Sequence, residues 1–373
     1  MTREAIKEVE LAVVIPAQDE ADILASTLPS LKRVIGPGDQ IHVIADHCQD
    51  ATAAVAKQTG AQVHIRSDNG PVGKGPALNW WLKQTSVESP SEQVIVVLDA
   101  DTRVAPGFFA VIRHRFARGA SVVQARIEPS TPAKTPIALL ASLSEIVEQR
   151  VYDQLRSRLG WPIRLRGTGM AFRRSVLEGI SGRLHTVIED VELTVLLGAA
   201  RVPISFVSET YVIDPKPEDE MGAVHQRARW LKGQFHVLFS YPYELLHLLT
   251  RGPSGWSLLG SVLLKPKTLI FPIKIALFSG IWFMATRMSG GWLLLTFIPL
   301  IGAATLLLEC AALLYGLGFV NDKLSTIYAL VVAPVYLLLW LKSLLLAMAS
   351  KETWLRSRNA PISQPMRETS SVS

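Results

Sequence analysis

Residues 11–35 read LAVVIPAQDEADILASTLPSLKRVI, and they decide the fold. The run 11–15 is apolar and rich in β-branched residues, and it stops at Pro16. Beyond the polar turn, Ile23, Leu24, Leu28, Leu31, Val34 and Ile35 recur at spacings of one, three and four, which places them on one helix face. A short apolar strand followed by an amphipathic helix is half of a strand–helix–strand unit. The rhythm continues, with β-rich runs at 41–45, 61–65 and 94–98 that end in turn or polar residues and have helical stretches between them. The pattern predicts an α/β fold built on a parallel sheet with helices on both faces. Right-handed crossovers then gather the strand C-termini on one edge, where the loops form a ligand crevice.

The residues at those strand ends have chemistry to offer. After 94–98 comes Asp99-Ala100-Asp101, two carboxylates that repel unless a cation sits between them. Mg²⁺ or Mn²⁺ takes such oxygen ligands and completes its shell with water and substrate phosphates; a solvated turn is the alternative. In VVIPAQDE, 13–20, the turn from Pro16 to Glu20 lies where a nucleotide meets a helix N-terminus, with Asp19 read as a helix cap. Asp46 ends the second run, placed to accept a hydrogen bond from a base or ribose, and Asp50 reads as a cap for the next helix. His47 and Cys48 have no second ligand pair at zinc spacing.

Three further segments complete the set. GKGPALN, 73–79, sets Lys74 in a glycine-flanked turn where it can meet a diphosphate. The spacing is neither that of a P-loop nor that of a dinucleotide fingerprint, which argues against an NAD-dependent oxidoreductase. In IEDVE, 188–192, Asp190 at a helix start serves as a base if the fold returns it to the crevice; charge favoured by the helix dipole is the other reading for Glu189 and Glu192. Gln226, Arg229 and Trp230, at i, i+3 and i+4, share a helix face able to stack on a sugar and bond its hydroxyls. An interfacial helix with snorkelling Arg and anchoring Trp fits the same pattern.

In this order the segments resemble the inverting family 2 glycosyltransferases of GT-A fold, and more narrowly the cellulose synthase-like and ceramide glucosyltransferase-like branch. The resemblance rests on 13–20, Asp46, 74–79, the DxD at 99–101, the GTGMAFRR segment at 167–174, the ED pair at 189–190 and QxxRW at 226–230. It covers about residues 11–235. It implies a Rossmann-like mixed sheet, a nucleotide-diphosphate sugar donor, and a metal–diphosphate held by Asp99 and Asp101. It also implies that Pro16, Glu20, Asp46 and Lys74 help to hold the nucleotide and that Asp190 is the general base. Gln226, Arg229 and Trp230 would line the donor or acceptor site. Gln18-Asp19 replaces the commoner aromatic-Asn pair, and Ala45-Asp46 a double Asp, which leaves the nucleotide open.

Composition adds the membrane. Of 373 residues 49% are hydrophobic, and the excess is concentrated in about 258–350. Candidate spans lie at 268–287, 292–316 and 325–349, each near the twenty residues that cross a bilayer, with Lys274 and Glu309 interrupting two of them. The expected organisation is a GT-A domain at 1–235, an amphipathic interfacial segment at 236–267, a multi-pass membrane domain with about three transmembrane helices at 268–350, and a disordered tail at 351–373. Three crossings set Lys351, Arg356 and Arg358 against the positive-inside tendency; an even number satisfies it. The apolar run 11–15 is too short for a signal peptide, so the catalytic domain is expected in the cytoplasm. Cys48 and Cys310 provide no disulfide framework. The net charge of +6 fits a cytoplasmic membrane surface, since no nucleic-acid-binding motif accompanies it.

The expected activity is transfer of a sugar to a lipid or lipid-linked acceptor. Processive polysaccharide synthesis is the rival within the enzyme class, and an inactive sugar-binding membrane scaffold the rival outside it. A polymer channel normally needs more helices than about three, which favours single transfer.

Overall fold

The computed structural model describes residues 9–86, 91–130, 135–184, 188–215, 219–263, 267–287 and 293–349. One sheet organises the first two thirds. Its strands are β1 (Leu11–Ala17), β2 (Gln40–Asp46), β3 (Gln62–Arg66), β4 (Val94–Val97), β5 (Arg103–Val104), β6 (Val122–Pro129), β7 (Met170–Arg173) and β8 (Ile204–Asp214), in the order β3-β2-β1-β4-β7-β6-β8-β5. Strands β3, β2, β1 and β4 are parallel, as the sequence rhythm requires. The second half adds antiparallel pairs, as the mixed sheet implied by the resemblance requires: β7 runs antiparallel to both β4 and β6, and β5 antiparallel to β8. The sheet is therefore mixed, because β7 enters it from an irregular segment rather than from a crossover helix.

Four helices follow the parallel half: α1 (Ala21–Lys32), α2 (Thr52–Gln58), α3 (Lys74–Thr85) and α4 (Phe108–Ala117). Side chains on a strand alternate between faces, and β1 shows the result directly. Leu11, Val13, Ile15 and Ala17 enter one core with Leu24, Leu28 and Leu31 of α1 and Phe108, Ile112 and Phe116 of α4. Ala12 and Val14 enter the other with Ala77, Leu78 and Trp81 of α3.

Strand β1 also runs past the expected stop at Pro16. Its ladder with β4 ends at Val14, whereas that with β2 continues to Ala17. The Val14 carbonyl faces β4, where it accepts from the Leu98 amide. By the two-residue period Pro16 faces the same way, beyond the ladder's end, so its missing N–H costs no sheet bond.

The chain continues through α5 (Pro136–Val147), a π-helical turn at Glu148–Asp153, α6 (Gln154–Arg158), α7 (Arg174–Ser181), α8 (Glu189–Ala199), α9 (Glu220–Ser240), α10 (Pro242–Thr250) and α11 (Pro253–Leu263). Residues 136–158 thus form one continuous helical run that carries a π turn, and the helical stretch from Glu220 breaks before Pro242. Helix α8 is buried at Glu189 and from Val191 through Gly198 in the core beneath α3.

The apolar C-terminal part holds α12 (Lys267–Arg287), α13 (Leu293–Leu317), α14 (Lys323–Val332) and α15 (Leu337–Ala349). Among the described residues one helical segment, Leu300–Leu317, is long and apolar enough to cross a membrane, or two if the bent pair α14–α15 forms one span. Of the three expected spans, 292–316 has its counterpart in Leu300–Leu317 and 325–349 in the bent pair. Lys274 and Glu309, the two charges that interrupt the spans, pair with each other at 2.5 Å and join α12 to α13. Lys351, Arg356, Arg358 and the tail 351–373 lie outside the described residues.

Candidate active site

The site collects at the C-terminal edge of the parallel strands. Asp99 and Asp101 leave β4 with the residues between and after them turned inward: Ala100 and Thr102 are buried, while Asp99 and Asp101 are partly exposed. The Ala100 carbonyl accepts from Thr27 Oγ1 of α1 at 2.7 Å, and Thr102 Oγ1 lies 2.8 Å from Thr168 Oγ1. The Asp99 amide donates to Thr168 Oγ1 at 3.1 Å. These bonds fix the backbone and leave two carboxylates on the open side, a hard-oxygen donor set of the kind a divalent cation accepts.

Lys74, the first residue of α3, fills the space behind them. Its Nζ is 2.5 Å from Asp99 Oδ1, 2.5 Å from the Gly167 carbonyl and 3.5 Å from Glu189 Oε1. Burial opposes a charge on Lys74, but Asp99 and Glu189 outweigh it and raise its pKa, so the ammonium is retained. Glu189 is pushed up to about 7, first by burial and then by Asp190 and Asp99, with Lys74 opposing. Gly167 adopts φ +87°, a backbone conformation that favours glycine, and so turns its carbonyl to Lys74.

Asp190 differs from the rest of α8. It is partly exposed between buried Glu189 and Val191. Its Oδ2 is 3.5 Å from Arg164 Nη2. Thr194 Oγ1 donates to the Asp190 carbonyl at 2.6 Å and accepts from the Leu165 amide at 2.9 Å, tying the first turn of α8 to the segment before β7.

Asp46, at the end of β2, is almost wholly buried and already heavily bonded. Its Oδ1 accepts from Arg66 Nη1 at 3.0 Å and lies 2.8 Å from His47 Nδ1, and its Oδ2 accepts from the Gly73 amide at 2.9 Å. The carboxylate therefore anchors the turn that presents Lys74. At the neighbouring turn the Glu20 amide donates to Thr52 Oγ1, and the Ala21 amide to Asp50 Oδ2. Asp19 accepts from the Gln49 amide at 2.6 Å, which ties the turn before α1 to the loop after β2. Asp50 bonds the starts of both α1 and α2. Asp19, Cys48 and Asp50 come within 4.8 Å of one another.

Gln226, Arg229 and Trp230 lie on α9, which meets the site through Gly233. A Cβ there would stand 2.3 Å from Ile188 Cγ1, so only glycine lets the helix approach the residue preceding Glu189. Gln226 is seven residues from Gly233 and thus on the same face, with Arg229 and Trp230 to either side. Trp230 is 43% exposed. Arg227 packs on the other side, 4.8 Å from the Trp340 ring of α15.

The structure thus joins Lys74 directly to Asp99 and Glu189, sets Asp190 next to Glu189 with its carboxylate on Arg164, and puts Asp46 behind Lys74; α9 meets Ile188 through Gly233. Arg164 and Arg166 were missed in the sequence. The Arg166 side chain is buried and pairs with Glu145 at 2.7 Å and with Asp153, and the Arg166 amide donates to Gln124 Oε1 at 2.9 Å. The available signal was the alternation Ile163-Arg164-Leu165-Arg166, with charges at every second place of an extended run.

Residues 9–233 match the family described as "Glycosyltransferase like family 2". A probable glycosyltransferase YdaM of Bacillus subtilis is 25% identical over 66% of this chain and 60% of its own length. A beta-monoglucosyldiacylglycerol synthase of Trichormus variabilis is 27% identical over 62% of this chain and 50% of its own. The chain thus spans about half to three-fifths of these curated relatives. Among solved structures, the mannosyltransferase PcManGT of Pyrobaculum calidifontis, in complex with GDP-Man and Mn²⁺, superposes with a TM-score of 0.53 at 15% identity, covering 92% of this chain and 88% of that one. The mixed sheet, the order of the strand-end residues and the family match agree: the chain belongs to the family 2 glycosyltransferases and has a GT-A-like fold.

Proposed function

We propose that the chain transfers a sugar, with inversion, from a nucleotide-diphosphate sugar to a lipid or lipid-linked acceptor at a membrane, with Asp190 as general base. One observation carries this reading. Asp190 is the one partly exposed carboxylate of α8, and it directly follows Glu189, which pairs with Lys74 beside Asp99.

Lys74 neutralises diphosphate charge, and the turns at Pro16, Glu20 and Asp46 hold the nucleotide end. Asp99 and Asp101 fit a divalent cation by donor type and exposure, and that ion, Mg²⁺ or Mn²⁺, would supply charge neutralisation for the leaving diphosphate. Asp190 takes the proton from the acceptor hydroxyl as its oxygen bonds to the anomeric carbon and the bond to the diphosphate breaks. Gln226, Arg229 and Trp230 line the sugar and acceptor side.

Two features support the membrane and the lipid. Phe239, Tyr243, Leu246 and Trp256 on α9–α11 are exposed apolar residues continuous in sequence with the apolar helices, and the segment Leu300–Leu317 has the length and character of a span. The diacylglycerol-glucosylating relative points to the same acceptor class.

Asp190→Asn tests the reading. Transfer should fall by about 100- to 10,000-fold while nucleotide binding survives; unchanged turnover would remove Asp190 from the mechanism. Long product ladders on a gel would favour processive synthesis instead.

A further inference from the structure

We infer that Arg164 is a positioning residue for the base, a guanidinium held on two backbone carbonyls so that its remaining nitrogen fixes the Asp190 carboxylate. The inference rests on the reading of Asp190 as base.

Each guanidinium nitrogen has its own partner. Nε donates to the Leu165 carbonyl at 3.3 Å, Nη1 donates to the Ser261 carbonyl at 3.2 Å, and Nη2 stands 3.5 Å from Asp190 Oδ2. Two carbonyls on different segments define the plane of the fork, so the third nitrogen cannot swing freely. The Arg164 and Asp190 side chains are only 12% and 16% exposed, which limits solvent screening of the pair. The backbone is registered as well, because the Thr194 hydroxyl links the Leu165 amide to the Asp190 carbonyl. Side chain and main chain of Asp190 are thus tied to one two-residue segment.

The contact at Ser261 brings in α11. That helix and α10 also grip the far end of α8, where Arg251 Nη1 donates to the Gly198 carbonyl at 2.6 Å. A Cβ at Gly198 would stand 2.7 Å from Leu258 of α11 and 3.1 Å from Leu248 of α10. Arg156 donates to the Ser257 hydroxyl and carbonyl, a further link between α11 and the arginine cluster before β7. The helix that carries the base is therefore held at both ends by the α10–α11 pair, with Arg164 supplying the hold next to the carboxylate.

A lysine at 164 would keep a positive charge but lose the planar fork that engages two carbonyls. This distinguishes positioning from mere charge. Correct direction of a reacting group is worth about 100-fold in rate when misplacement reaches about 1 Å.

The full-length protein in detergent or lipid vesicles is assayed as wild type, Arg164→Ala, Arg164→Lys and Asp190→Asn, with metal-dependent binding of nucleoside diphosphate measured for each. Arg164→Ala should lower kcat by about 10- to 100-fold with donor KM and nucleotide binding within about twofold. Arg164→Lys should fall between it and wild type, and added guanidinium ion should restore part of the Arg164→Ala rate. An Arg164→Ala protein with wild-type kcat overturns the inference, as does one whose kcat and nucleotide binding fall together. If Arg164→Ala does not fold, the kcat of Arg164→Lys decides, and a wild-type value there overturns the inference. Asp190→Asn separates the layers: full turnover in that variant sinks the base assignment itself, whereas a dead Asp190→Asn beside an unaffected Arg164→Ala sinks only the role of Arg164.

Discussion

Lys74 Nζ lies 2.5 Å from Asp99 Oδ1, so the first carboxylate of the DxD is joined to the lysine of the glycine-flanked turn. The pair places a buried cation where the resemblance implies a diphosphate. Lys74→Met should therefore weaken binding of a nucleoside diphosphate by roughly 10- to 100-fold, the scale of one charge-assisted hydrogen bond. A nucleoside monophosphate should bind almost as it does to wild type. Calorimetry with both ligands checks this, and equal losses for the two would move Lys74 away from the diphosphate.

Glu189 and His42 give opposite pH slopes of stability in overlapping windows. The folded pKa of Glu189 is raised to about 7 from 4.5, chiefly by burial, so the stability linked to it is full below about 4.5 and lost as pH rises through about 7. His42 is lowered to about 4 from 6.5 by burial, then by His64 and Arg174, so the stability linked to it is full above about 6.5 and lost as pH falls through about 4. The wild-type curve mixes the two, and single variants separate them. In metal-free and donor-free protein, Glu189→Gln should gain thermal stability over wild type at pH 8 more than at pH 5. His42→Asn should lose less than wild type on acidification from pH 7 to pH 4.5. Melting curves across that range provide the check, and parallel curves for wild type and either variant would contradict the assigned burial.

The parallel half of the sheet was legible because each strand carries an unbroken β-rich run ended by polar residues. The runs 11–15, 41–45, 61–65 and 94–98 correspond to β1–β4 within one or two residues at each end. The second half was not. β7 has four residues, too few to show a period, and β8 loses its alternation where the register with β6 shifts between Ala125 and Arg126. Ile204 and Phe206 therefore enter one core while Val207 and Val212 enter the other. Within the site, Asp99, Lys74 and Asp190 were legible as residues after strands or at helix starts. Their contacts were not, since Lys74 and Glu189 meet only when α8 is returned beneath α3. For Arg164 the alternation at 163–166 signalled only an extended run, because its partners at Asp190 and Ser261 are set by packing.

Gly233 lets α9 pack against Ile188, one residue before the ED pair. A methyl group there would overlap Ile188, at 2.3 Å from Cγ1 and 2.6 Å from Cδ1. Gly233→Ala should cost about 1–3 kcal/mol of stability, typical of overpacking. It should also lower kcat, because the displaced Ile188 leads directly into Glu189 and Asp190. Ile188→Ala in the same chain makes room for the methyl group and should recover part of the loss. Denaturant melts with turnover measurements test the pair, and strictly additive effects would show that the two residues do not touch.

The ion pair between Lys274 and Glu309 joins two helices that are themselves largely apolar. Each charge is tolerated because the other answers it, and removing one leaves the other in a poor solvent. Lys274→Met should destabilise the detergent-solubilised protein by roughly 1–3 kcal/mol, the usual cost of breaking such a pair reduced for partial exposure. Glu309→Met should behave similarly. The double variant Lys274→Met/Glu309→Met should recover most of the stability, since two apolar side chains replace two charges that no longer need each other. A double variant as unstable as the sum of the singles would show that the residues act independently and that the α12–α13 pairing is not held by this contact.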